Sequence, residues 1–192
     1  AGGCLAPRVV TPGYFMRADG AAPEAVELLA WVEVLEDVRD WESFTAAFPS
    51  APGVGEGPGW AMGLARSLAG VRTSLQENAL TLGGAAKRMA GTVDGERWAN
   101  LAALESRVEA LLGEWGMTGR NGALARGRFE WPPGLDDIVV AGVADLPKAV
   151  AWVLEKAPVK VTALVAGVDG ADFDEWGRPV AEWTERALSK TV

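Results

Sequence analysis

The chain of 192 residues has no histidine. That excludes imidazole proton transfer, Ser-His-Asp and Cys-His nucleophile activation, and every histidine-ligated metal. The single cysteine, Cys4, excludes an intramolecular disulfide, a thiolate zinc site and a CxxC redox pair. It reads as an unremarkable thiol in a flexible arm. No GxxxxGK[ST] occurs, so a Walker-type phosphate loop is absent. The N-terminal "AGGCLAPRVV" lacks the charged-then-apolar pattern of a signal peptide. No apolar run approaches the ~20 residues that cross a bilayer, and the most apolar window, "DIVVAGVADLPKAVAWVL", is interrupted by Asp145, Pro147 and Lys148. A soluble protein with no membrane span is expected, in the cytoplasm or within a particle.

Basic charge is also short. Eighteen Lys and Arg stand against 26 Asp and Glu, a net charge of −8, which argues against nucleic acid as a partner. The charge is segmented. Residues 1–58 carry three basic and nine acidic side chains, residues 59–128 nine and six, and residues 129–192 six and eleven. Such blocks attract complementary copies or partners, within the reach that salt screening leaves.

What is present suits a folded, helix-rich chain. Residues 1–22 hold Pro7, Pro12 and Gly13 without a clear period and read as an extended arm. A helix is expected from Pro23 to Phe48, because Leu28, Trp31, Leu35, Val38, Phe44 and Phe48 recur at three- to four-residue spacing. Glu24 and Glu27 suit the positive end of its dipole. Its outer face is acidic, with Glu33, Glu36, Asp37 and Asp40, which solvation alone also explains. Pro49 and "PSAPGVGEGPG" make a hinge over 49–59. It is not a dinucleotide loop, since no strand precedes it and Pro58 removes an amide donor.

Helical spacing resumes over 60–91, with Gly83-Gly84 as a kink or a close approach, and again over 96–115, with Asp94 as cap and Gly116 as stop. The two segments make an αα-hairpin. At its turn, Trp98-Ala99-Asn100 resembles the Trp-X-Gly turn of small secreted helical-hairpin proteins, but Asn100 replaces the glycine and the chain is far longer. No family is assigned on it. Residues 118–134 are a Gly/Arg-rich connection, where Arg120, Arg126 and Arg128 either grip an acidic surface or pair within the protein.

The last segment, 135–192, differs in kind. "DDIVVAGVAD" and "VKVTALVAGV" read as strands and "LPKAVAWVLEKA" as the helix between them, with a second helix at about 178–190. Val140-Ala141-Gly142-Val143 recurs as Val165-Ala166-Gly167-Val168, a repeat that chance also produces in a chain rich in these residues. The expected fold is helix-dominated α+β: an N-terminal amphipathic helix and an αα-hairpin, then a small β-α-β-α unit with parallel strands. An all-α fold is the alternative, since a short apolar run also suits a buried helix.

Candidate sites are few. Asp145 and Asp169 fall just past the ends of the expected strands, where open parallel sheets place ligands. Asp169, Asp172, Asp174 and Glu175 form an acidic loop, but its spacing fails the calcium-loop pattern, and helix capping explains it equally. No metal or other cofactor is implied. Nine tryptophans accompany one tyrosine, and they are spread along the whole chain, which favours core and interface use over one aromatic platform. Trp176 falls in a loop and Trp183 on the last helix, packed against the sheet.

Three functions remain. The leading one is a non-enzymatic structural or assembly subunit of a larger complex, such as a virion-like particle or a secretion apparatus, with protein partners that include copies of itself. The second is an acidic regulator or inhibitor that occupies a basic protein surface through Glu33, Glu36, Asp37 and Asp40. The third is a ligand- or metal-binding protein that uses Asp145 and Asp169.

Overall fold

A computed structural model describes residues 7–55, 57–143, 145–164 and 174–178. Its helices are α1 (Glu24–Asp37), α2 (Trp60–Glu77), α3 (Leu82–Met89), α4 (Gly95–Glu114), α5 (Arg120–Ala125) and α6 (Lys148–Leu154). Its strands are β1 (Asp137–Ala141) and β2 (Lys160–Leu164). The fold is helix-dominated α+β, as the periodicities predict. The chain divides into two compact units, residues 18–129 and residues 1–17 with 130–192. This partition cuts across the segments 1–22, 23–117, 118–134 and 135–192 expected from composition.

The helical unit packs α1 on α2 and α4, and α3 on α4. Its core holds Trp31, Leu35, Phe44, Leu68, Leu82, Leu104, Val108 and Leu112. α1 stops eleven residues before the expected end at Phe48, because Val38 turns extended (φ −62°, ψ 118°). The apolar stripe nevertheless continues through a 3-10 turn at Trp41–Phe44. There Trp41 meets Phe44, Phe48 and Trp60 edge-on, at ring separations of 5.9, 5.4 and 6.2 Å. Asn100 on α4 ties this segment down, with its Nδ2 donating to the Ser43 carbonyl and its Oδ1 accepting from the Ala47 amide. Trp98-Ala99-Asn100 therefore belongs to the first turns of α4, not to a hairpin turn.

The break after α2 falls at residues 78–81, where Ala79 takes the left-handed conformation at φ 55°. Gly83-Gly84, expected as a kink or a close approach of another helix, lies in the first turn of α3, where the Gly83 amide meets Glu105 of α4. Thr81 caps α3 by accepting from the Gly84 amide. The 118–134 connection is not an open loop: it contains α5, whose residues Asn121 to Leu124 are buried.

In the other unit, β1 and β2 pair in parallel, with Ile138 opposite Val161 and Val140 opposite Ala163. Parallel pairing requires a crossover, and α6 supplies it. Ile138, Leu146, Val150, Leu154 and Trp176 form the core, joined by Phe15, Met16 and Trp131. The expected helix at 178–190, Trp183 and the second copy of the repeat lie outside the described residues, apart from Arg178.

Candidate functional site: a buried charge network

The polar feature that the helical unit builds most deliberately is internal. Glu27 on α1, Arg72 on α2 and Glu105 on α4 are each under a tenth exposed. Each lies on the apolar stripe of its helix. Glu27 precedes Trp31 and Val34 by four and seven residues, Arg72 follows Leu68 by four, and Glu105 follows Leu101 by four and precedes Val108 by three. Packing of the three helices therefore carries three charges into one core.

The Arg72 guanidinium bonds the Glu27 carboxylate through Nη2 and faces Glu105 with its Nε, 3.7 Å from Oε1. It also lies 5.3 Å from the Trp31 ring centroid, in cation–π geometry. The second oxygen of Glu105 accepts from the Gly83 amide at 3.0 Å, in the first turn of α3. Burial pushes the Glu105 carboxyl up. The amides of Gly83 and Leu82 and the charge of Arg72 offset this only in part, and the charge of Glu109 adds to it.

A second layer adjoins the first. Glu109 on α4 accepts from the Thr118 hydroxyl at 3.1 Å and from the Gly119 amide at 3.3 Å, and Arg126 donates to the Thr118 hydroxyl at 2.5 Å. Asn121 Nδ2 donates to the Arg72 carbonyl at 2.8 Å. A Cβ at residue 119 would meet Glu109 Oε1 and stand 3.1 Å from Glu27 Oε1, so any larger residue there would displace the Glu109 carboxylate. Among the described residues no group of three or more acidic, histidine or cysteine side chains is placed to hold a metal ion. The network's chemistry is the pairing of one guanidinium with two carboxylates, which ties α1, α2 and α4 together through buried polar contacts.

The residues singled out from sequence fare differently. Glu33, Glu36 and Asp37 are exposed on α1, and Asp37 pairs loosely with Arg39 at 3.7 Å. Asp40 does not belong to that free face, since Arg107 clasps it through both oxygens at 3.1 and 2.9 Å. The hydrogen bond from Arg107 holds the Asp40 carboxyl below its ordinary value. Two of the three arginines are occupied inside the helical unit: Arg126 by Thr118, and Arg128 by Asp19 at 3.7 Å. Arg120 is half-buried at the start of α5.

Trp176 lies in the turn at 174–178, as its position in a loop was expected, and is 8 % exposed within the core of the other unit. Asp145 is exposed beside Leu146, and Asp169 and Asp172 lie outside the described residues. Asp174 is a turn carboxylate: it accepts from the amides of Trp176 and Arg178 and from Arg178 Nε at 2.6 Å. Burial pushes Asp174 up, but these hydrogen bonds together outweigh it and hold the carboxyl low.

Glu27 was read only as a charge at the start of the α1 dipole, and Arg72 and Glu105 were not singled out, because acidic and basic residues on helices ordinarily face solvent. Their signal was positional, a charge standing in an apolar stripe on each of three helices. Among the described residues no helix is long and apolar enough to cross a membrane. Comparison of the chain with protein-family models, with curated proteins and with solved structures finds no match.

Proposed function

We propose that the protein is a non-enzymatic subunit of a larger assembly, working through protein–protein contacts, and that the outer face of α1 meets a basic protein surface. The observation that carries this reading is the composition of that face. Leu29, Glu33 and Glu36 follow one another at four- and three-residue spacing, so they share one side of the helix. All three are exposed, Leu29 at 55 %, and Asp37 stands beside them. One large apolar side chain among carboxylates suits a contact in which charge guides encounter and register while apolar burial supplies affinity. Behind this face, Ala30, Trp31, Val34 and Leu35 are packed in the core, so the stripe is presented on a fixed helix.

The same face suits an acidic regulator that occupies a single basic target, and stoichiometry separates the two readings. The test is isolation from the native source under gentle conditions, followed by mass determination in solution. A particle of fixed composition containing several copies or several proteins supports an assembly subunit, whereas a one-to-one complex supports the regulator. Reversing charge in Glu33→Lys/Glu36→Lys should dissociate either complex while leaving the circular dichroism unchanged. A monomer with nothing attached overturns both readings. A complex indifferent to the charge reversal overturns the assignment to α1.

A further inference from the structure

The buried network is unevenly balanced. One guanidinium serves two carboxylates, so Glu27, Arg72 and Glu105 together carry one uncompensated negative charge in the core. The two bonds are also unequal. Glu27 is hydrogen-bonded to Arg72, whereas Arg72 Nε and Glu105 Oε1 face each other at 3.7 Å and each lacks a hydrogen-bond partner. The missing bond lies on the α2–α4 side of the cluster. Glu105 alone among the three also holds a backbone amide of a further helix, Gly83 in α3.

We propose that Glu105 is a proton-operated latch: taking up one proton at Oε1 neutralises the cluster, releases Arg72 to Glu27 alone, and loosens the hold of α4 on the start of α3. A proton on Oε1 would point a donor at the Arg72 Nε–H, itself a donor, so the carboxyl must turn. Turning withdraws Oε2 from the Gly83 amide. The α1–α2 tie is kept, because Glu27 retains its bond to Arg72.

The charged groups around Glu105 come from every helix packed there. α1 brings Glu27, α2 brings Arg72 and α4 brings Glu109, whose negative charge favours proton uptake. α3 brings amides at Leu82 and Gly83, while its Lys87 and Arg88 are exposed. Burial acts in the same direction as Glu109, so Glu105 takes the proton more readily than an ordinary glutamate. A group whose folded form binds the proton more tightly than its unfolded form does not drive acid unfolding. The event is a rearrangement within the fold.

The test is a pH titration of the full chain by NMR, following the Glu105 carboxyl carbon, the Gly83 amide and the Arg72 Nε–H. The expected result is a Glu105 midpoint above that of an ordinary glutamate, with the Gly83 and Arg72 signals moving at the same midpoint. Glu109→Gln should lower that midpoint, and Glu105→Gln should abolish the shared transition. Gly83 and Arg72 signals that stay constant while Glu105 titrates overturn the latch, as does a Glu105 midpoint at or below the ordinary value. The wild-type titration decides the matter on its own if a variant fails to fold.

Discussion

Arg72 is the residue on which the helical unit depends most unevenly. Its side chain is the only cation in contact with both Glu27 and Glu105 among the described residues. Truncating it leaves two carboxylates buried without a countercharge, a loss of about 3–5 kcal/mol for broken buried pairs. Arg72→Met should therefore destabilise the protein by that amount in urea unfolding at neutral pH, despite conserving much of the apolar stem. Glu105 behaves in the opposite sense. Its folded carboxyl binds protons more tightly than the unfolded one, so its favourable contribution is complete below the ordinary glutamate range and is lost as pH rises through the folded value. Glu105→Gln is neutral at every pH and cannot titrate. Its stability relative to the wild type should rise between about pH 4 and about pH 7, measured by urea midpoints at both ends. If it falls instead, the ionised Glu105 is a net stabiliser.

At the scale of elements, the boundaries show what was legible in the sequence and what was not. The β1–α6–β2 unit was legible, because two β-branched runs flank a helical period and parallel strands need a crossover between them. The end of α1 was not. Phe44 and Phe48 keep the apolar spacing of a helix although a 3-10 turn delivers them to the core, and spacing alone cannot distinguish the two. The break after α2 was not legible either: residues 60–91 read as one helical stretch with Gly83-Gly84 as a kink or a close approach, whereas the chain turns at Asn78 and Ala79, which carry no proline or glycine signal. α5 was hidden by Gly119, Gly122 and Gly127, and the carboxylate of Glu109 lies where a side chain on the first of these would stand. Of the four acidic positions proposed as an interaction face, three remain open, while Asp40 binds Arg107 across 67 residues of sequence, a pairing no local pattern announces. The turn at Ala79 also yields a prediction. A left-handed backbone costs an L-residue roughly 1–2 kcal/mol, and glycine escapes most of this at a smaller entropic cost. Ala79→Gly should raise stability by about 0.5–1 kcal/mol in thermal or urea unfolding. A loss would mean that the Ala79 methyl packs usefully enough to outweigh the strain.

For the molecule as a whole, the arrangement of its two units along the chain matters most. Residues 18–129 are contiguous and hold their own core, the buried network and all of α1 to α5. A fragment of that extent lies within the ordinary size of a self-sufficient domain. Expressed alone, it should give a helical circular dichroism spectrum and one cooperative melt. A fragment that stays unfolded would show that this core depends on the remainder of the chain.

The other unit is assembled from both sides of the first. Phe15 and Met16 belong to the same core as Ile138, Leu146 and Leu154, with more than a hundred residues between them in sequence. On the ribosome, where synthesis runs from the N-terminus, Phe15 and Met16 emerge ahead of their core partners and wait while the whole helical unit is made. That unit can fold as soon as Phe129 clears the exit tunnel, whereas its companion must wait for β2. The order of manufacture thus makes the insert the elder of the two, and a translational pause shortly after residue 129 would separate their folding in time.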